Sequence, residues 1–158
     1  GSTSNDTRAV FMGGENAQDT MDYITMASTG NATDFGDMTQ SYSAGNGLIS
    51  NGTRGVVGIG GGSSGGNYSN VIEYITIATT GNSTDFGNLT EGRTQVGQAS
   101  SETRGLLAGG KYTSGGGSVR NTIDYITIAT TGNGTDFGDL TQARSALAGL
   151  SDIGALRE

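Results

Sequence analysis

Acidic and amide side chains recur in pairs along this sequence: Asp34 with Asp37, Asp85 with Asn88, and Asp136 with Asp139. Oxygen donors so spaced could serve Ca²⁺, which binds through carboxylates and carbonyls. Two neighbouring carboxylates could also act as acid and nucleophile on a glycosidic bond. The pattern speaks against both. The spacing is not that of an EF-hand loop, and Asn88 stands where the other pairs have a second acid. A pair written three times also argues against a single active site. The reading that remains is turn and strand-edge chemistry, in which Asp and Asn bond their own backbone.

A second set of charges repeats with them. Arg8, Arg54 and Arg104 each follow a threonine, and they are three of the eight basic residues. Each lies one strand away from an acid: Asp22, Glu73 or Asp124. One reading is a ring of ligand-binding arginines. The favoured one is a repeated, partly buried Arg–carboxylate pair, with the guanidinium fork bidentate on the acid. A position that recurs in every unit behaves as a packing position does.

Other chemistries are excluded by what the chain lacks. It has no His and no Cys. That removes the usual zinc sites and the Ser-His-Asp and Cys-His nucleophiles. Gly60 to Gly65 matches GxGxxG, but no helix follows it, so the dinucleotide reading fails. Asp-Phe-Gly occurs without a kinase catalytic loop. A non-enzymatic chain with no cofactor and no metal is expected. The formal charge of −7 would repel phosphate backbones, so nucleic acid is not an expected partner. No apolar run approaches the ~18 residues of a membrane span, and no membrane partner is expected. Without cysteines the redox compartment cannot be read, and localisation stays open.

The elements that carry these residues are repeats. Met21-Asp22-Tyr23-Ile24-Thr25 returns as Ile72-Glu73-Tyr74-Ile75-Thr76 and as Ile123-Asp124-Tyr125-Ile126-Thr127. Tyr23, Tyr74 and Tyr125 are 51 residues apart, and Phe35, Phe86 and Phe137 keep the same interval. Each unit reads as four strands. An apolar run follows the Arg, and a loop rich in Gly and Ser comes next. A strand dense in β-branched residues around the Tyr follows, then a short strand anchored by the Phe. The fourth strand is one of small residues: 43–48, 94–99 and 143–150. A period of about 40–50 residues with four strands per unit predicts a β-propeller. The 30 glycines and scarce apolar residues suit short strands and tight turns. The expected domain is 1–158, with units near 7–52, 53–102 and 103–150. Gly1-Ser2 reads as a cloning scar.

An apolar strand closing on two glycines, then a Tyr strand, then an aromatic anchor, resembles the kelch repeat. The matching residues are Gly13-Gly14, Tyr23 and Phe35 in the first unit, and Gly109-Gly110, Tyr125 and Phe137 in the third. In the second unit the glycine pair is displaced, and Phe stands where kelch units usually have Trp. The wording is more similar to kelch-like repeats of tailed-phage and marine viral proteins. The resemblance implies an all-β propeller of three four-stranded blades per chain, and a virion location.

Three blades are fewer than the roughly four to eight of known propellers. The expected solution is a homodimer closing a six-bladed ring, each chain giving its C-terminal strand to the other's three-stranded first blade. A trimer of nine blades is the alternative ring. The loops after the second strands differ most between units, and carry Tyr68, Lys111, Tyr112 and Arg120. Variable loops on a rigid frame are where a binding surface would sit. The expected role is structural or recognition, with a lectin-like glycan binder, one shallow site per blade, as the alternative.

Overall fold

Strand formation follows the residue types. Val-Ile-Glu-Tyr-Ile-Thr and Thr-Ile-Asp-Tyr-Ile-Thr are mostly β-branched or aromatic, and both are strands. A computed structural model of the chain describes residues 1–14, 18–42, 47–58, 68–112 and 118–149. This part is all-β. The first sheet contains β1 (Ser2–Ser4), β2 (Arg8–Met12), β3 (Gln18–Thr25) and β4 (Thr33–Tyr42). The second contains β5 (Gly47–Ser50), β6 (Arg54–Gly58), β7 (Val71–Thr76) and β8 (Thr84–Asn88). The third takes β9 (Gly97–Ser100) and β10 (Arg104–Ala108), then β13 (Thr122–Thr127) and β14 (Thr135–Asp139). Between β10 and β13 a small ribbon is formed by β11 (Lys111–Tyr112) and β12 (Ser118–Val119).

Each large sheet is an antiparallel meander in which strands pair in chain order, apart from the inserted ribbon. Pairing is equivalent in all three: Arg8 faces Thr25, Arg54 faces Thr76 and Arg104 faces Thr127. The bulge recurs too, at Met21/Asp22, Ile72/Glu73 and Ile123/Asp124. The first hairpin of each sheet is set by a side chain. Asn5 and Asn51 accept from the Arg8 and Arg54 amides at 2.8 Å, and Ser101 does so for Arg104 at 3.1 Å.

The second sheet has two buried faces. Leu48, Val57, Ile75 and Ile77 pack on Val10, Met21, Phe35 and Met38 of the first sheet. Ile49, Val56, Ile72 and Phe86 pack on Leu107, Ile126 and Ile128 of the third. Double burial explains why β7 lacks a clean apolar–polar alternation. Backbone bonds lock the outer edges of these seams. Gly81 and Ser83 donate to the carbonyls of Phe35 and Asp37 at 2.7 and 2.9 Å. Gly132 and Gly134 repeat this on Phe86 and Asn88 at 2.7 and 2.8 Å. The approach is tight enough to demand glycine. Gly36 and Gly87 have φ of +135° and +145°, and a Cβ there would strike the backbone of Gly81 and Gly132.

Two expectations are corrected. The first sheet is not three-stranded: Ser2–Ser4 pairs with Ala9–Phe11, so the place meant for an exchanged strand is filled from this chain. Gly1-Ser2 thus belongs to the folded part, with Ser2 opposite Phe11. The small-residue strand also starts later than the sequence suggested. Gln95 and Ala146 have φ of +56° and +55°, a left-handed turn that pairing cannot cross. The strand of the second unit begins only at Gly97, and 143–149 contains no strand. Residues 150–158 lie outside the described part, as does most of 43–48.

The inner strands crowd together. A methyl group at Gly105 would lie 2.6 Å from both Cδ1 and Cγ2 of Ile49. Because φ at Gly105 is ordinary, the cost of Gly105→Ala is overpacking alone, about 1–3 kcal/mol. Urea unfolding is expected to show a lower midpoint with an unchanged slope.

Candidate functional site

The three arginines do not pair with the acids. Opposite residues of an antiparallel pair share a face, and successive residues alternate. Arg8 lies opposite Thr25, while Asp22 lies opposite Phe11, so Arg8 and Asp22 project from opposite faces. The same parity separates Arg54 from Glu73 and Arg104 from Asp124. Each guanidinium lies instead over a tyrosine ring: Arg8 over Tyr23 at 4.2 Å, Arg54 over Tyr74 at 4.2 Å, Arg104 over Tyr125 at 4.6 Å. Phe35, Phe86 and Phe137 meet these rings edge-on, with centroids 6.1 Å apart. The guanidinium then crosses the seam. Arg8 Nη1 donates to the Ile77 carbonyl at 3.1 Å and Arg54 Nη1 to that of Ile128 at 2.9 Å. A cation on a ring face fits the quadrupole attraction.

Two of the acids are buried polar centres of the seams. Glu73 accepts from the Thr39 amide and the Tyr42 hydroxyl at 3.0 Å each, and from the hydroxyls of Thr39 and Ser83. Burial and the neighbouring Glu73 carboxylate push the Tyr42 hydroxyl well above the usual phenol range. Asp124 accepts from Arg93 Nη2 at 2.6 Å and from Thr90 at 2.7 Å, and both ions are fully buried. Arg93 also donates to the carbonyls of Thr122 and Gly109 at 2.7 and 3.1 Å. Asp22, in contrast, is exposed on the first sheet.

Arg93 and Tyr42 were missed by the sequence reading, although a signal existed. Thr39-x-x-Tyr42, Thr90-x-x-Arg93 and Thr141-x-x-Arg144 repeat at 51 residues like the Tyr strands. The Tyr-for-Arg exchange conceals the correspondence.

The loop residues come together around 91–94. Arg120 stacks on Tyr112 at 4.7 Å and donates to Glu91 at 3.0 Å. Lys111 and Thr94 exchange backbone bonds of 2.8 and 3.0 Å. The Tyr68 carbonyl lies against Gly92. This is a small mixed-charge surface of two tyrosines, a lysine, an arginine and a glutamate. Asp34 and Asp136 bond the amides of Gly36 and Gly138 at 3.1 Å, which is turn chemistry. Among the described residues no cluster of three or more acids could hold a metal ion. The GxGxxG stretch, Gly60 to Gly65, lies outside the described residues.

Three equivalent depressions follow the Tyr strands. Tyr23, Thr25, Ser28 and Asn31 line one. Tyr74, Thr76, Thr79 and Asn82 line the next, and Tyr125, Thr127, Thr130 and Asn133 the third. They are poorly equipped as sugar sites. One face of each Tyr ring carries a guanidinium. The side-chain oxygens of Asn82 and Asn133 are engaged at 3.0 Å by the amides of Asp37 and Asn88. No protein-family model matches the chain, and no curated protein matches it.

Removing one partner of the buried ion pair leaves the other charge stranded. Asp124→Ala is expected to cost about 3–5 kcal/mol, read by denaturant unfolding. Tyr42 adds an alkaline limit. Its folded-state hydroxyl holds its proton beyond pH 10, where the unfolded chain has begun to lose it. Its contribution is therefore complete below about pH 10 and lost as pH rises further. In Tyr42→Phe the fall in stability above pH 10 is expected to be shallower, measured by unfolding across pH 8–12.

Proposed function

We propose that this chain is a non-enzymatic β-propeller module of kelch-like type. Each sheet is a blade, and two copies close a six-bladed ring that serves as a scaffold. The observation that carries this reading is the contrast between internal and end faces. Phe35 and Phe86 are 2% exposed inside the two seams, while their equivalent Phe137 is 51% exposed on the third sheet. At the other end Met26 is 56% exposed, whereas its equivalents Ile77 and Ile128 are fully buried. Phe11 is likewise exposed where Val57 and Leu107 are buried. The two ends are thus the two halves of a seam of the kind already made twice within the chain. Apolar faces of this kind signal an interaction surface.

Closure by face packing replaces the exchanged strand, because Ser2–Ser4 already fills the inner position of the first sheet. A head-to-tail contact that closes gives a finite ring. The mixed surface of Tyr68, Lys111, Tyr112 and Arg120 is the recognition face carried by this scaffold. Tyr with small polar residues suits adaptable contact. The viral resemblance supports a place on a virion surface or tail. The lectin-like alternative is the weaker reading, since the repeated tyrosines each carry a guanidinium and Asn82 and Asn133 already have partners.

Light scattering on a sizing column tests the ring. The expected mass is twice 15.9 kDa. A stable species of 15.9 kDa would overturn the closure, and three times that mass would replace it with a nine-bladed ring.

A further inference from the structure

The ring seam between two copies contains more than apolar surface. We infer that it is specified by an intermolecular ion pair, Asp22 of one copy with Arg144 of the other, seated with Thr141. This inference rests on the ring reading and deepens it by naming the partner surface, a second copy, and its register.

The argument is the repeat itself. Asp22, Glu73 and Asp124 occupy one position at intervals of 51, as do Thr39, Thr90 and Thr141, and Tyr42, Arg93 and Arg144. In each internal seam the acid of one sheet meets the Thr and the Tyr or Arg of the sheet before it. Glu73 meets Thr39 and Tyr42. Asp124 meets Thr90 and Arg93, the latter at 2.6 Å. The remaining acid is Asp22 and the remaining Thr and Arg are Thr141 and Arg144. All three are exposed, and they lie at opposite ends of the protomer. Their signs are complementary, on a chain whose net charge of −7 opposes self-association.

Other end groups fall into the same register. Arg8 and Arg54 reach carbonyls of the following sheet at Ile77 and Ile128. Arg104 is exposed, and the equivalent carbonyl is that of Met26 on the second copy. The amides of Gly30 and Ala32 would take the Phe137 and Asp139 carbonyls, as Gly81 and Ser83 take those of Phe35 and Asp37. Gly138 keeps the φ of +133° that Gly36 and Gly87 need for close approach, yet no described residue lies within 4 Å of the position of its Cβ. Gly36 and Gly87 hold this conformation against the following sheet, and Gly138 presents it at the free end where a second copy would dock.

Charge exchange tests this. Asp22→Arg and Arg144→Asp are each expected to be monomeric, with folding checked by circular dichroism, because like charges would meet in the seam. Mixing the two variants is expected to restore a dimer. In that heterodimer one seam carries the reversed pair and the other the native pair. Single variants that keep the wild-type mass and dissociation constant would overturn the ion pair while leaving the ring intact. Single variants that dissociate but fail to recover on mixing would overturn this pairing too. A monomeric wild-type chain would overturn ring and pairing together.

Discussion

Everything in this molecule depends on a sheet having two faces. A four-stranded meander of short strands is small, and its apolar residues project on both sides. Ile72 and Val56 point one way, Ile75 and Val57 the other. At about 25 cal/mol per Å² of apolar surface, leaving either side wet forfeits much of the driving force for folding. Among the described residues, only the second sheet has both faces covered. The arrangement therefore propagates: each sheet stabilises the next, and the ends call for whatever the middle already has.

The seams between sheets are not simply apolar. Backbone amides of one sheet cap the outer strand of the sheet before it, which protects the β4 and β8 edges from stray pairing. The arginines over Tyr23 and Tyr74 extend this cap, each joining two sheets through one side chain. Buried carboxylates then fix the register. Glu73 and Asp124 have partners only when the sheets stack in the observed order, and a slip would strand them without bonds. Apolar burial supplies the attraction, and the polar groups select one arrangement of it.

Much of the fold was legible because repetition identifies structural positions without any alignment. The Tyr strand, the Phe anchor and the turn chemistry of Asn and Gly all emerged at their places. Tyr23, Tyr74 and Tyr125 with their phenylalanines were read as structural, and they form three equivalent stacks. What failed was the step from sequence adjacency to side-chain direction. Arg8 and Asp22 lie on neighbouring strands but on opposite faces, a parity fixed by the hairpin register and invisible before the register was known. Ser2–Ser4 was missed for another reason. Three short polar residues, with only Thr3 β-branched, give too weak a strand signal, and their pairing is imposed by the bare edge of β2. Arg93 escaped because its counterpart is Tyr42, and only the contact with an acid unites the two.

That exchange has a physical logic. The first internal seam uses neutral hydroxyl donors around a longer acid, Glu73; the second uses a cation on a shorter one, Asp124. A repeat protein risks docking the wrong pair of sheets, and seams of unlike chemistry discourage it. Tyr42 brings no cation to Asp22 and Arg144 does, so in the ring we propose the ends would favour each other over an internal sheet. Charges on otherwise apolar end faces also restrain indiscriminate stacking before the correct contact forms. Asp22 and Arg144 are exposed at the two end sheets, and in the proposed ring a complementary charge arriving in register would remove that restraint. The polar groups that make each internal seam selective thus have counterparts on the end faces, where an unpaired charge opposes indiscriminate contact.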